Sequence, residues 1–309
     1  MNFTSVEKIA NAVLYEGYIL YPYRPTAIKN RQRWNFGTLY PRVYAEIQRP
    51  QEPFSLVSEC LLVPGSNASF DIKVSFLQLL PQQRINSGLA DPSLDWNEAI
   101  ERTSDHYDLS LSALLISPLR LHINPTAELA ASLTISARTL PSGACILHLE
   151  LQNISQLSSG TEARRDEALP QSLVSAHLLL GLTGGEFISL LEPSDLYAAD
   201  AKVCTNIGVF PVLAGEEPDR SILFLSPIIM YDYPKTSPES AGDFFDGTEM
   251  DEMLTLRVLT LTDDEKQQMR TGDQRARRIL ERTEALTGEE MLKAHGIVRP
   301  TREIRGDAS

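Results

Sequence analysis

The heptapeptide FDIKVSF, residues 70–76, alternates apolar and polar side chains along its length. Successive side chains of a β-strand point to opposite faces of the sheet, so this pattern predicts a strand with one buried face. Three other stretches alternate in the same way or nearly so: LSLSA at 109–113, LTISA at 133–137 and ILHLEL at 146–151. The sequence therefore predicts a chain built mainly from half-buried strands.

Turn-forming residues lie between these strands. They are PGSN at 64–67, Pro81, Pro118, Pro125 and PSG at 141–143. Short strands separated by turns, and not by helices, are typical of antiparallel sandwiches and barrels. More apolar runs follow at 172–191, 203–213, 221–231 and 253–261, and the glycine pair at 184–185 predicts a hairpin turn. We expect a mainly β fold, an antiparallel β-sandwich arranged as two β-layers or as two β-rich halves.

Capping boxes mark the predicted helices. TSVE at 4–7 precedes apolar residues at helical spacing and predicts an N-terminal helix over 5–16. Two further boxes, TDDE at 262–265 and TGEE at 287–290, predict a C-terminal helical segment. A short helix is also predicted over 92–102, because Trp96 and Ile100 are four residues apart.

These elements divide the chain into five predicted segments. The run SQLSSGTEARRDEALP at 155–170 is polar, which is typical of an exposed loop or a hinge. The segments are an N-terminal helix with a β-rich half at 1–155, a loop or hinge at 156–170, a second β-rich half at 171–262, C-terminal helices at 263–298, and a mobile tail at 299–309.

Composition narrows the class of protein. The net charge of −13 at pH 7 disfavours general affinity for nucleic acid or anionic lipid, since both are polyanions. No segment approaches the roughly 20 apolar residues of a membrane span, and no signal sequence is visible at the N-terminus. The three cysteines are far apart and predict buried free thiols. We expect a cytoplasmic protein without membrane insertion.

Motifs of enzymatic chemistry are not found in the sequence. It contains no GxSxG elbow, no GxxxxGK[ST] loop and no GxGxxG fingerprint. The five histidines form no HxH or HxxxH pair for a metal, and His122, His148 and His177 lie in strand-like runs that favour structural roles. We therefore assign no catalytic residue and expect no cofactor.

The segment YPYRPTAIKNRQRWNFGTLYPR, residues 21–42, carries five cations and no acid. Arginine interleaved with aromatic rings is common at protein interfaces, so the segment is a candidate partner-binding surface. Its candidate residues are Tyr21, Tyr23, Arg24, Lys29, Arg31, Arg33, Trp34 and Arg42. The alternative is that these arginines bond carbonyls and acids of the same chain and pin an irregular segment to the sheet.

The segment DFFDGTEMDE, residues 243–252, has the opposite composition, with five acids and no cation. Carboxylates are the ligands that Mg²⁺ and Ca²⁺ prefer, which makes Asp243, Asp246, Glu249 and Asp251 weak metal candidates. Their spacing does not match the calcium loop of an EF-hand. A solvated loop, or pairing with the basic segment, explains the same acids.

Three long stretches resemble a family of uncharacterised bacterial and cyanobacterial proteins. They are VEKIANAVLYEGYILYPYRPTAIKNRQRWNFGTLYPR at 6–42, SLVSAHLLLGLTGGEFISLLEP at 172–193, and SPIIMYDYPKTSPESAGDFFDGTEMDEMLTLRVLTLTDDEK at 226–266. The genes of that family tend to lie among accessory genes for uptake [NiFe]-hydrogenases. The resemblance implies a role beside hydrogenase assembly or function, with a hydrogenase component or accessory factor as partner. It brings no assigned catalytic residues.

Two functional hypotheses follow. The first is a non-enzymatic accessory protein that binds another protein through residues 21–42, with the acidic segment 243–252 as a second candidate surface. The second is a metal-dependent hydrolase that uses the acidic segment, because a bound divalent cation can activate water.

Overall fold

A computed structural model describes residues 3–15, 36–82, 96–157 and 163–235, and six residues of the C-terminal region. The helices are α1 (Thr4–Tyr15), α2 (Arg42–Ile47), α3 (Leu111–Ile116), α4 (Arg165–Ala168), α5 (Ala198–Lys202) and a 3₁₀ turn (Leu169–Gln171). The strands are β1 (Ser55–Gln82), β2 (Trp96–Ser110), β3 (Leu119–Ile123), β4 (Ala131–Thr139), β5 (Cys145–Asn153), β6 (Val174–Ile188), β7 (Asn206–Ile207), β8 (Phe210–Leu213) and β9 (Ile222–Ser226).

The described strands form one antiparallel sheet in the order β3-β4-β5-β1-β6-β9-β8, with β2 and β7 added to β1. The mainly β class and the N-terminal helix are thus confirmed. The sandwich form is not confirmed, because the nine strands belong to a single sheet that is not closed. Strands from before and after the predicted hinge at 156–170 pair with the same strand, β1.

The strand β1 is 28 residues long and is paired along both edges. On one edge, its first part pairs with β5 and its second part with β2. On the other edge, β7 pairs with the first part and β6 with most of the remainder. Of the described strands, β1 therefore pairs with four, and the other four are connected to it through β5 and β6.

The main core covers one face of β1 and continues onto its neighbours on both sides. Alternate residues of β1 supply it, including Phe70, Ile72, Val74 and Phe76. These are the apolar positions of the FDIKVSF pattern, so the predicted buried face is confirmed. Burying such a side chain stabilises the fold by roughly 1.5–3 kcal/mol.

The helix α1 covers the opposite face of the sheet near β6, β8 and β9. Its buried residues Val6, Ala10 and Val13 follow helical spacing and pack with Leu179 and Phe224. Residues of β6 are consequently buried on both faces of the sheet from Val174 to Leu182. An ion pair of 2.9 Å between Lys73 Nζ of β1 and Glu7 Oε1 of α1 lies at the border of this contact.

Two predicted turns do not reverse the chain. Residues 64–67 lie inside β1 and Gly184-Gly185 lie inside β6. Between the pairs Pro64–Gly185 and Ser69–Thr183, β1 has four residues where β6 has only Gly184. The turn-forming residues therefore form a bulge, which bends β1 without ending it.

The helix predicted over 92–102 is wrong at its described residues, because Trp96 begins the strand β2. Pairing with β1 through thirteen residue pairs outweighs the weak helical spacing of Trp96 and Ile100. The strand predicted over 109–113 is also wrong in part, since β2 ends at Ser110 and Leu111 begins α3.

A second compact unit comprises residues 236–309. Its six described residues are Lys266, Gln267, Arg270, Leu280, Glu281 and Glu284, and all six are helical, as the sequence predicts. Within this unit, Arg270 Nη2 donates to both carboxylate oxygens of Glu284 at 2.9 and 3.0 Å. The apolar run at 253–261 lies outside the described residues.

Replacing Gly184 with Ala tests the bulge. Gly184 has φ +72°, and an added Cβ would lie 2.8 Å from the carbonyl oxygen of Ser66. Backbone strain and this clash should together lower the free energy of unfolding by about 2–4 kcal/mol, as measured by urea denaturation.

The matched control is Gly143→Ala. Gly143 has φ +86°, but an added Cβ would meet no atom within 4 Å. In this variant only backbone strain acts, so the free energy of unfolding should fall by about 1 kcal/mol. Equal losses in the two variants would contradict the close approach of β1 and β6 at Gly184.

Candidate functional site

Of the predicted partner-binding residues, the structure describes only Arg42. Tyr21, Tyr23, Arg24, Lys29, Arg31, Arg33 and Trp34 lie outside the described residues. The structure does describe the end of the segment, residues 36–42, and the helix α2 that follows it. These residues and α2 are called the α2 platform below.

The α2 platform begins with a stretch that is bonded to the start of β6. Leu39 and Leu173 exchange two backbone hydrogen bonds of 2.8 and 3.0 Å. Ser175 N donates to Phe36 O at 3.0 Å, and Ala176 N donates to the next carbonyl along, that of Gly37, at 3.1 Å. Gly37 has φ +55° and an added Cβ would lie 2.6 Å from Pro227 Cβ, so this approach requires glycine. Residues 36–39 are thus fixed to the sheet.

The side chain of Asn153, at the end of β5, joins three parts of the chain. Its Nδ2 donates to Leu39 O and to Gln171 O, both at 2.8 Å. Its Oδ1 accepts from Ser155 N at 2.9 Å. Asn153 is 1% exposed, so these bonds satisfy polar groups that water cannot reach. The position of Leu39 against the sheet depends on this amide.

A buried tyrosine secures the next residue of the platform. Tyr40 is 2% exposed, and its hydroxyl accepts a hydrogen bond of 2.9 Å from Arg165 Nε. Burial raises the pKa of Tyr40, although the positive charge of Arg165 acts in the opposite direction. The ring of Tyr44 in α2 lies 5.1 Å from the Tyr40 ring. These contacts therefore hold both Tyr40 and the inner face of α2 in place.

The outer face of α2 is exposed and of mixed character. The Arg42 side chain is 63% exposed, although its Nε lies 2.7 Å from Glu46 Oε1 and its guanidinium stacks 5.1 Å from the Phe54 ring centroid. Val43 and Ile47, four residues apart, are 46% and 43% exposed. Arg42 thus contacts an acid of its own chain and still presents most of its surface to solvent.

The predicted metal candidates Asp243, Asp246, Glu249 and Asp251 lie outside the described residues. Elsewhere, the described parts of the chain bring together no group of three or more His, Cys, Asp or Glu side chains that could hold a metal ion.

Sequence reasoning missed a cluster centred on Glu59, on the face of β1 opposite the core. Glu59 Oε1 lies 3.5 Å from Arg138 Nη2 and 3.5 Å from His148 Nδ1. Its Oε2 accepts a 2.8 Å hydrogen bond from Thr205 N, which precedes β7. Since Glu59 and His148 are cross-strand partners, only the register of β1 and β5 could have revealed the cluster. Its bonds hold the β7 segment against β1.

His177 is a structural histidine, as the sequence predicts. It is 1% exposed under α1, and its Nδ1 donates to the carbonyl of Ser175 at 2.9 Å. Its ring meets Phe224 edge-on at 5.5 Å. Burial lowers the pKa of His177 to about 4, and the positive charge of Lys73 acts in the same direction. The ring is therefore neutral at neutral pH.

All three cysteines are free, as the sequence predicts. Cys60 and Cys145 are buried, whereas Cys204 is only half-buried. Burial raises the pKa of Cys60 to about 12 and that of Cys204 to about 11. Both thiols are protonated at neutral pH and are poor nucleophiles.

The sequence matches no protein-family model, and a search of curated proteins gives no match. The helices in the described parts of the chain are all too short or too polar to cross a bilayer.

Replacing Asn153 with Ala tests the anchoring of the platform. The change leaves the carbonyls of Leu39 and Gln171 and the amide of Ser155 without this partner in a buried site. The free energy of unfolding should fall by about 2–4 kcal/mol in urea denaturation. Gln152→Ala, at the neighbouring half-buried position, is the control and should change stability by less than about 1 kcal/mol. Similar losses at both positions would contradict the role given to Asn153.

The burial of His177 predicts a pH dependence of stability. In the unfolded chain His177 regains its ordinary pKa near 6.5, so between pH 6.5 and 4 the unfolded state binds a proton that the folded state does not. The free energy of unfolding should fall by about 3 kcal/mol from this group as pH falls through that window. Urea denaturation at several pH values measures it.

Two variants isolate this contribution. The His177→Gln variant should lack this pH-dependent fall in the free energy of unfolding. The His122→Gln variant, changed at an exposed position of β3, should still show it. An unchanged slope in the His177 variant would contradict the assignment.

Proposed function

We propose that this protein is a non-enzymatic accessory protein that binds another protein through residues 21–42 and α2. The observation that carries the proposal is the construction of the α2 platform. Residues 36–40 are bonded to the sheet and to Asn153, and α2 then exposes Arg42, Val43 and Ile47. A surface that is already ordered binds with a smaller loss of entropy than a flexible one.

The chemistry of the platform suits a protein partner. Arginine is enriched at interfaces, and aliphatic side chains beside it supply apolar area that association can bury. The contact of Arg42 with Glu46 is exposed, and exposed ion pairs contribute at most about 1 kcal/mol. A carboxylate of a partner can therefore replace Glu46 at little cost.

The non-enzymatic part of the proposal is supported by the state of the reactive groups in the described region. His177 and Glu59 are engaged in bonds that hold the fold, and the Cys60 and Cys204 thiols are protonated. The free cysteines are typical of a reducing compartment, which supports a cytoplasmic location. We propose a hydrogenase component or accessory factor as the partner. This choice is based on the resemblance of residues 6–42, 172–193 and 226–266 to the hydrogenase-associated family.

Charge reversal in the basic segment tests the proposal. The variant Arg31→Glu/Arg33→Glu, combined with Arg42→Glu, should reduce co-purification of hydrogenase components from the native cell by at least about tenfold, because like charges would then oppose the partner. Quantitative mass spectrometry of the purified complexes measures this loss. The melting temperature should change by no more than a few degrees.

The matched control is Arg120→Glu/Lys202→Glu combined with Lys8→Glu, which makes the same change in net charge at exposed positions away from the platform. It should retain the partner. Equal loss in both triple variants would indicate a general charge effect. Loss of folding in the first variant alone would show that these arginines stabilise the chain internally, and either outcome would overturn the proposal.

A further inference from the structure

One edge of the strand β2 is not paired with any described strand. Its residues pair with β1 in a register from Ser69–Ser110 to Gln82–Trp96, and no other described strand pairs with it. The backbone donors and acceptors on its outer side are a template for one more strand. Thr103, Asp105 and Tyr107 of this strand are exposed.

The register assigns the side chains of β2 to two faces. Glu101, Thr103 and Asp105 are partners of Leu77, Ser75 and Lys73 and share the face on which α1 packs. Within the described parts of the chain, neither Glu101 nor Asp105 belongs to an ion pair. The ammonium group of Lys73 is 2.9 Å from Glu7, and its charge also attracts Asp105 and Glu101 at longer range. Two carboxylates, four residues apart, are thus available on this face.

The opposite face of β2 adds little positive charge at the edge. Arg102 Nε donates to Gln78 Oε1 at 3.0 Å, which directs the guanidinium toward β1. His106 Nε2 lies 3.0 Å from Ser104 Oγ, and burial lowers the pKa of His106, so the ring is neutral at neutral pH. The accessible edge is therefore acidic.

The charges of Glu101 and Asp105 determine which kind of strand could pair with the edge of β2. In antiparallel pairing of two copies centred on Thr103, Glu101 of each copy would lie opposite Asp105 of the other. Like charges directly opposite destabilise a strand pair. An incoming strand with cations at positions i and i+4 would instead place both cations opposite the two carboxylates, with position i+2 facing Thr103.

We propose that the outer edge of β2 binds an extended basic segment of another protein by strand addition. Backbone hydrogen bonds supply binding, and Glu101 and Asp105 supply the preference for cations spaced four residues apart. This surface is distinct from the α2 platform, and the proposal does not depend on the function proposed above.

The probe is the peptide acetyl-Thr-Val-Lys-Val-Thr-Val-Lys-Val-Thr-amide with a fluorescent label, titrated with the full chain and followed by anisotropy. We expect saturable binding at protein concentrations below about 1 mM. The same peptide with Glu in place of both Lys should bind at least about tenfold more weakly. A peptide with N-methylated backbone amides, which keeps both charges but cannot donate ladder hydrogen bonds, should also bind at least about tenfold more weakly.

Variants of the protein locate the site. Glu101→Lys/Asp105→Lys should weaken binding of the Lys peptide at least about tenfold and improve binding of the Glu peptide. The control Glu128→Lys/Asp195→Lys makes the same charge change at exposed positions outside β2 and should leave both affinities within about twofold. If the lysine variant fails to fold, Glu101→Gln/Asp105→Asn replaces it.

Several outcomes would overturn the proposal. Absence of binding by the Lys peptide would do so. Equal binding by the N-methylated peptide would show attraction between charges without strand addition. Equal weakening by the β2 variant and the control would show that net charge alone attracts the peptide.

Discussion

The two-sided backbone pairing of β1 is the constraint on which the rest of the sheet depends. One strand of 28 residues binds β5 and β2 in succession along one edge, and β7 and β6 along the other. A strand of this length must bend to keep its apolar face on the core, because sheets twist. The extra residues opposite Gly184 provide that bend, and they do so without ending the strand.

Bulges determine which side chains of the neighbouring strands face the core. In the bulge of β6, two residues lie opposite Phe76, and one of them is Ser175 with φ +53°. In the bulge of β2, two residues lie opposite Asp71, and one of them is Asp108, also with φ +53°. A one-residue shift moves every later side chain to the other face of a sheet. The bulge at Ser175 also lies where residues 36–39 join the sheet, so the local irregularity and the anchoring of the platform are parts of one arrangement.

Charge is distributed unevenly over this scaffold. At the edge of β2, Glu101 and Asp105 form no ion pair with a described residue, whereas the α2 platform carries an exposed arginine beside aliphatic side chains. Acidic side chains at a strand edge discourage association between copies of the same chain, and they leave the edge available to a cationic strand. The two surfaces thus differ in the partners that they can accept.

The sequence by itself determined the strand class of residues 70–76, 133–137 and 146–151 and the helix at the N-terminus, because period-two and helical spacings are local properties of the chain. Only the tertiary structure decided that 64–67 and 184–185 bend long strands without reversing them, that Trp96 begins a strand, and that Glu59 meets His148. Each of these outcomes depends on pairing between residues far apart in the chain. Local pattern does not encode register, so neither the acidic edge of β2 nor the contact of Asn153 with Leu39 could be predicted from it.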